Sequence, residues 1–173
     1  MRERSPAAIG GCLLLALLLL LGARGHAPAA GDLGSETNLP IPRFVSLRSD
    51  LVNLRTGPGT MYPIDWVFVR RDLPVEVIAE FDVWRKIRDW QGTVGWVHQS
   101  MLDGRRTVRI SGSERALHRE PNEDAAVVAR LAPGVIGRLL ECTDSWCRIE
   151  VDSNRGWLKR DEFWGVYPDE KIN

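Results

Sequence analysis

The stretch from Val83 to Val97, V-W-R-K-I-R-D-W-Q-G-T-V-G-W-V, decides how this chain folds. It contains two runs rich in Val, Ile and Trp on either side of Gln91-Gly92, a pattern typical of a β-hairpin. A shorter version recurs at Ser145 to Leu158, S-W-C-R-I-E-V-D-S-N-R-G-W-L. A hairpin that occurs twice predicts a duplicated β module.

The repeat extends well beyond the hairpin. At an offset of 63, Leu54 aligns with Leu117, and at an offset of 61 Trp96 aligns with Trp157. From Phe44 onward the apolar runs are short, β-branched or aromatic, and broken by Gly, Pro, Asn or Asp, with no helical period. We therefore predict an all-β chain of two tandem small β-barrels. The predicted segments are a signal peptide at 1–29, a flexible leader at 30–42, domain 1 at 43–103, domain 2 at 104–167 and a C-terminal tail at 168–173.

The amino terminus has the order of a secretory signal. Arg2 and Arg4 precede the apolar run from Cys12 to Leu21, and small residues follow up to Ala29. An apolar run this short spans a bilayer poorly, so we expect cleavage near Ala29 in preference to retention as an anchor. The chain is thus predicted to be exported to the periplasm, with no membrane span after cleavage. Lys+Arg and Asp+Glu are both 23, so no net charge indicates nucleic acid as a partner.

Removal of the signal leaves two cysteines, Cys142 and Cys147, an even number in an exported protein. If Asp144-Ser145 forms a two-residue turn, the cysteines face each other on adjacent strands at about 4.5 Å between Cα atoms, within disulfide range. We predict a disulfide, which contributes about 2 kcal/mol because it closes a short loop. The alternative is a redox or metal-binding cysteine pair, for which the spacing is wrong.

These motifs resemble a known family. V-N-L-R-T-G-P-G-T at 52–60, W-R-K-I at 84–87 and G-W-V at 95–97 are similar to the bacterial SH3-like domain. More closely, W-V-F-V-R-R at 66–71 and the terminal W-G-V-Y resemble exported tandem SH3-like proteins of Gram-negative bacteria. The resemblance implies two SH3-like barrels that bind cell-wall peptides or proteins. Copy two departs from this pattern at the loop after its second strand. We therefore expect the binding site in copy one.

The mature sequence shows no pattern typical of an enzyme or a metal site. Its two histidines, His98 and His118, stand in neither an H-x-x-x-H nor a Cys-His arrangement. Gly57-Pro58-Gly59 lacks the lysine and the following helix of a nucleotide-binding loop. We predict a non-enzyme without cofactor or metal. A cell-wall hydrolase is the least favoured reading, and it predicts muropeptide release.

The repeat leaves three tryptophans without a counterpart, Trp66, Trp90 and Trp164, whereas the others are expected to serve the shared fold. If Ile87 points inward, alternation places Trp84, Lys86, Arg88 and Trp90 on one outer face. The candidate site is a groove for an extended peptide or glycan bearing carboxylates, and its residues are Tyr62, Trp66, Lys86, Arg88 and Trp90. The alternative is that Lys86 and Arg88 merely cover the rings with their stems.

A second set of residues is predicted to structure the loop after the second strand of copy one. The set is Asn53, Arg55, Gly57, Pro58 and Gly59. Arg55 is expected to pair with an acidic neighbour and so to hold the turn at Gly57-Pro58-Gly59. Direct contact between Arg55 and a ligand is the alternative. The expected function is a non-catalytic binding or scaffold module for peptidoglycan peptides or other envelope material, acting through domain 1. The rival is a protein-assembly factor of the envelope that does not bind the wall.

Overall fold

The computed structural model describes residues 32–172, so the predicted signal peptide lies outside the described residues. Strands dominate this range, with short 3-10 helices at Gln99–Met101 and Arg160–Glu162. The strands are β1 Asp32–Leu33, β2 Pro40–Ile41, β3 Arg43–Leu47, β4 Val52–Arg55, β5 Ile64–Phe68, β6 Pro74–Phe81, β7 Trp84–Arg88, β8 Val94–His98, β9 Leu102–Asp103, β10 Thr107–Ile110, β11 Arg115–His118, β12 Val127–Leu131, β13 Ile136–Cys142, β14 Trp146–Val151, β15 Asn154–Lys159 and β16 Phe163–Trp164.

Two seven-stranded sheets repeat one topology. Module 1 (residues 43–103) has the strand order β5-β4-β8-β7-β6-β3-β9, and module 2 (residues 107–164) has the order β12-β11-β15-β14-β13-β10-β16. Each strand of module 1 therefore has a counterpart at the same place in module 2. The predicted all-β architecture of two tandem modules is confirmed.

Each module encloses its own apolar core, because alternate residues of its strands point inward. In β14, Cys147, Ile149 and Val151 are buried, as the alternation predicts. Burial of one Leu or Ile side chain contributes about 2 kcal/mol, so the cores are the main source of stability. The aligned pairs that occupy both cores are Val45 with Val108, Leu47 with Ile110, Leu54 with Leu117, Phe68 with Leu131, Val77 with Leu139, Ile87 with Ile149, and Val97 with Leu158.

The repeated Gly-Trp motif has a packing reason. A Cβ at Gly95 would lie 2.5 Å from Leu54 Cγ, and a Cβ at Gly156 would lie 2.7 Å from Leu117 Cγ. Both distances are far inside van der Waals contact, so only glycine lets β8 and β15 cross so close to these core leucines.

The predicted disulfide is present. Cys142 and Cys147 are cross-strand partners of β13 and β14, with Cα atoms 4.1 Å apart. The Thr143 N–H donates to the Trp146 carbonyl at 2.8 Å and closes the turn between them.

The two chain ends of the described range pack on the modules. Residues 32–41 form a small hairpin of β1 and β2, and the buried Glu80 carboxylate accepts hydrogen bonds from its tip. The part of the leader predicted at 30–42 that the structure describes therefore includes a hairpin, and a buried acceptor in module 1 holds this polar segment. Within the predicted tail, Ile172 bridges to Cys142 and Glu170 pairs with Arg106.

The modules are docked against each other. The Phe44 ring of module 1 packs edge-on against Trp164 at 4.8 Å and lies 4.7 Å from the Tyr167 ring. The Tyr167 hydroxyl donates to Glu76 Oε1 at 2.8 Å, and Glu76 is itself buried. Aromatic packing and a hydrogen bond to a carboxylate therefore join the two modules.

Candidate functional site

A cleft of about 260 Å³ lies where the modules meet. Module 1 supplies most of its wall, and module 2 supplies one arginine and a glycine turn. The lining residues are Trp66, Val67, Phe68, Val69, Arg70, Leu73, Trp90, Arg109 and Gly134. This combination of aromatic, aliphatic and cationic groups suits a ligand with an apolar part and a negative charge.

Trp66 forms the outer wall of the cleft. It lies on β5, opposite Leu54 of β4, and β5 is an outer strand of its sheet. Among residues 32–172 no strand pairs with the outer side of β5, and Trp66 is 55% exposed although Leu54 beside it is fully buried. An exposed tryptophan at the rim of a concave surface is available for contact with a ligand. In module 2 the residue opposite Leu117 is Ala129, so this wall has no counterpart there.

Trp90 forms the inner wall. Strand β7 ends at Arg88, and the chain then turns because Asp89 Oδ1 accepts the N–H groups of Gln91 and Thr93 at 2.9 and 2.8 Å. This turn carries Trp90 away from the face of β7 and against the core of module 1. The Arg109 guanidinium lies over the Trp90 ring, 4.4 Å from its centroid. A cation–π contact of this kind contributes about 1–2 kcal/mol when it is shielded from water.

The charge of the cleft is positive. Arg70 Nη1 donates to the Gly134 carbonyl at 3.1 Å, and Arg109 Nη1 donates to the Ile110 carbonyl at 3.3 Å. Burial, followed by the positive charge of Arg70, lowers the pKa of Arg109 from its ordinary value, and the negative charge of Asp89 offsets part of the shift. The two guanidiniums therefore repel each other in a partly dehydrated setting, which a bound anion would relieve.

The structure brings only two of the five predicted groove residues together. Trp66 and Trp90 line the cleft, whereas Tyr62, Lys86 and Arg88 do not. Arg88 instead donates through Nε to Glu76 Oε2 at 2.8 Å, because Glu76 is its cross-strand partner. Lys86 lies on β7 between Ala79 and Trp96, away from the cleft.

The predicted outer platform of Trp84, Lys86, Arg88 and Trp90 is wrong. Trp84 is only 8% exposed, and its ring lies edge-on to the His98 ring at 5.5 Å. Trp90 lies beyond the end of β7, so strand alternation does not apply to it. The inward direction of Ile87 is as predicted, since Ile87 is fully buried.

The loop after β4 is organised by Arg55 and Tyr62. Arg55 Nη1 donates to the carbonyls of Thr60 and Tyr62 at 3.1 and 2.7 Å, and not to the acidic neighbour that the sequence suggested. A Cβ at Gly57 would collide with the Tyr62 ring, which also lies beside Gly59.

Within residues 32–172, the other residues of the predicted loop set make no contact that distinguishes them as a binding site. Pro58 lies half-buried between the two glycines, and Asn53 is exposed on β4. Tyr62 therefore packs on its own loop, and this explains why it does not form the second wall of the cleft.

Sequence reasoning missed Arg70 and Arg109. Arg109 stands between the buried residues Val108 and Ile110, so its outward direction was readable from the alternation. Its contact with Trp90 of the other module depends on how the modules dock, and no pattern within one strand predicts the docking.

A larger recess of about 620 Å³ lies on module 2 beside the disulfide hairpin. Its charges are mixed, with Asp144 and Asp161 facing Lys159 and Arg160. Arg160 donates to the carbonyls of Thr143, Tyr167 and Glu170, so its guanidinium holds the C-terminal residues in place. We therefore favour the cleft between the modules as the candidate site.

Residues 32–172 also bear on metal binding and on membrane insertion. Within this range no three His, Cys, Asp or Glu side chains are grouped so that they could hold a metal ion. Nor does any helix in this part of the chain have the length and apolar character needed to cross a membrane.

Three solved structures show weak likeness to this chain. NlpC2 from Trichomonas vaginalis is 14% identical, with a TM-score of 0.35, and the match covers 73% of this chain and 49% of that chain. NlpC1 from Trichomonas vaginalis is also 14% identical, with a TM-score of 0.35, and the match covers 78% of this chain and 49% of that chain. An NlpC/P60 family protein from Bacillus cereus is 12% identical, with a TM-score of 0.32, and the match covers 75% of this chain and 58% of that chain. This chain spans about half the length of those chains, and such low TM-scores carry no inference about activity.

A comparison with curated proteins finds no significant match. The family model for the bacterial SH3 domain, in contrast, matches twice, at residues 48–104 and 111–165. Each match falls on one module, and together they cover more than half of the sequence. The chain therefore belongs to the bacterial SH3 domain family.

Proposed function

We propose that this chain is an exported, non-catalytic binding module of the periplasm that recognises peptides of the cell wall through the cleft between its modules. Membership of the bacterial SH3 domain family suggests binding related to the cell wall. The Cys142–Cys147 disulfide supports export, since disulfides persist in oxidising compartments. The predicted signal peptide at 1–29 also supports export.

The observation that carries this proposal is that Trp66 and Trp90 line one cleft together with Arg70 and Arg109. Stem peptides of peptidoglycan have short aliphatic side chains and carboxylates, which match an aromatic wall and a guanidinium pair. The cleft as described has no Ser, Cys, His or carboxylate side chain in its lining, which supports binding in preference to catalysis at this place.

Sedimentation with purified sacculi tests the proposal. Trp66→Ala removes an exposed wall without opening a core, and we expect at least tenfold weaker retention of the chain without its signal peptide, since tryptophans often dominate binding energy. Phe81→Ala is the matched control, because Phe81 is 57% exposed and lies outside the cleft. Equal retention of Trp66→Ala and the parent would contradict the assignment of the site.

A second candidate function is the assembly of envelope proteins, and the β5 edge favours it. Ile64 and Val67 are exposed on this outer strand, and Val69 is exposed just after its end. An apolar strand with an open edge can pair with a strand of another protein. Capture of one stoichiometric envelope protein, without retention on sacculi, would favour this second candidate.

A further inference from the structure

Two guanidiniums, one from each module, converge on the cleft. Arg70 follows β5 in module 1, and Arg109 lies on β10 in module 2. Both adjoin the turn at Gly134, whose φ of 83° is in the left-handed region. Arg70 donates to the Gly134 carbonyl at 3.1 Å, and a Cβ on Gly134 would lie 3.4 Å from Arg109 Nη2. The pair therefore exists only while the modules are docked.

The pair lacks a carboxylate partner within the part of the chain that the structure describes. In residues 32–172, no Asp or Glu oxygen lies within 4.0 Å of a nitrogen of Arg70 or Arg109. Asp89 is the nearby acid, but its Oδ1 accepts the N–H groups of Gln91 and Thr93. Other arginines of the chain, such as Arg88 with Glu76, do have carboxylate partners.

The geometry restricts how Arg109 can move. Its guanidinium is stacked on Trp90 and hydrogen-bonded to the Ile110 carbonyl. A guanidinium held in this way keeps its remaining N–H groups in fixed directions, so less entropy is lost when it binds an anion. Planar carboxylates match this arrangement, since arginine can donate two parallel hydrogen bonds to them.

We propose that Arg70 and Arg109 form a carboxylate subsite shared by the two modules. A free carboxylate of a cell-wall stem peptide binds between the guanidiniums, and the neighbouring aliphatic side chain of the peptide packs against Trp66. The subsite rests on the proposed function and adds to it the chemical group that is recognised. A cleft of about 260 Å³ has room for one small residue of this kind and not for a whole peptide.

The test compares a soluble stem peptide with the same peptide after all of its carboxylates have been converted to amides. By calorimetry we expect the affinity of the parent protein for the amide peptide to be at least tenfold lower than its affinity for the carboxylate peptide. The variants Arg70→Gln and Arg109→Gln should lose this discrimination, so that the affinities for the carboxylate and amide peptides lie within about twofold of each other. Arg70 is exposed, so its replacement opens no core. Arg130→Gln is the matched control, because Arg130 is 68% exposed and lies outside the cleft, and it should keep the full difference.

The outcomes separate this inference from the proposed function. If the parent binds both peptide forms equally and sacculi retention still depends on Trp66, the carboxylate subsite is wrong and the proposed function stands. If neither peptide binds and sacculi are not retained, both are overturned. Thermal unfolding of each variant shows whether a loss of binding comes from a loss of the fold.

Discussion

Replacing Glu80 with glutamine should release the N-terminal hairpin from module 1. The Glu80 side chain is fully buried, and its oxygens accept the Thr37 hydroxyl at 2.6 Å and the N–H groups of Thr37 and Glu36 at 2.9 and 3.0 Å. Arg43 adds a charged hydrogen bond at 2.8 Å. Burial alone would raise the pKa of Glu80, but the hydrogen bonds from Thr37, Arg43 and Glu36 outweigh it and lower the pKa from 4.5 to about 2.

The size of the effect follows from this pKa shift. A fall from 4.5 to about 2 corresponds to about 3 kcal/mol, and solvent near the thin covering hairpin reduces it, so we expect about 2–3 kcal/mol. Because the pKa of the folded state lies below that of the unfolded state, this stabilisation is complete above about pH 4.5. It is lost as the pH falls from there towards 2.

Hydrogen exchange measures the release directly. At neutral pH the protection factors of the Glu36 and Thr37 amides should fall by roughly 30- to 150-fold in Glu80→Gln, which is 2–3 kcal/mol of local opening energy. Glu123→Gln, at an exposed carboxylate, should leave them unchanged. Unchanged protection of the Thr37 amide in Glu80→Gln would refute the idea that Glu80 holds the hairpin.

Two further variants test the packing. Tyr167→Phe removes the hydrogen bond to Glu76 between the modules, and because the acceptor is charged we expect urea unfolding to show a loss of about 2 kcal/mol. Burial, and then the hydrogen bond to Glu76, raise the pKa of Tyr167, so this loss should not vary with pH near neutrality. Gly95→Ala should lower the free energy of unfolding by about 1–3 kcal/mol, because its methyl group would overlap Leu54. Gly104→Ala is the control, because a Cβ at Gly104 has no atom within 4 Å, and its free energy of unfolding should stay within about 0.5 kcal/mol of that of the parent. Equal losses in the two variants would show that the contact with Leu54 does not determine the cost.

The repeat made the fold predictable from the sequence. Aligned residues such as Leu54 and Leu117 occupy the same place in both cores, because each copy must bury the same inward-facing positions. The Cys142–Cys147 disulfide was predictable for a similar reason, since a tight turn fixes which residues lie opposite each other. Local geometry was sufficient for both predictions.

The candidate site was only partly predictable. The alignment of the two copies distinguished the tryptophans without counterparts from the repeated ones, and two of the former lie at the junction of the modules. Trp164 packs on Phe44, and Trp90 lies under Arg109. Strand alternation also failed at Trp90, because the hydrogen bonds to Asp89 turn the chain before it. A contact between modules depends on their docking, which single-strand patterns do not contain.

The proposed function requires that a cell-wall peptide binds in the cleft between the modules. The chain has seven tryptophans, so the indole N–H signals of the isotope-labelled protein form a small set of probes across both modules. On titration with a soluble stem peptide, we predict that the signals of Trp66 and Trp90 shift together, while those of Trp146 and Trp157 stay in place. Shifts confined to Trp146 and Trp157, or saturation with no change at Trp66 and Trp90, would overturn the proposed binding site.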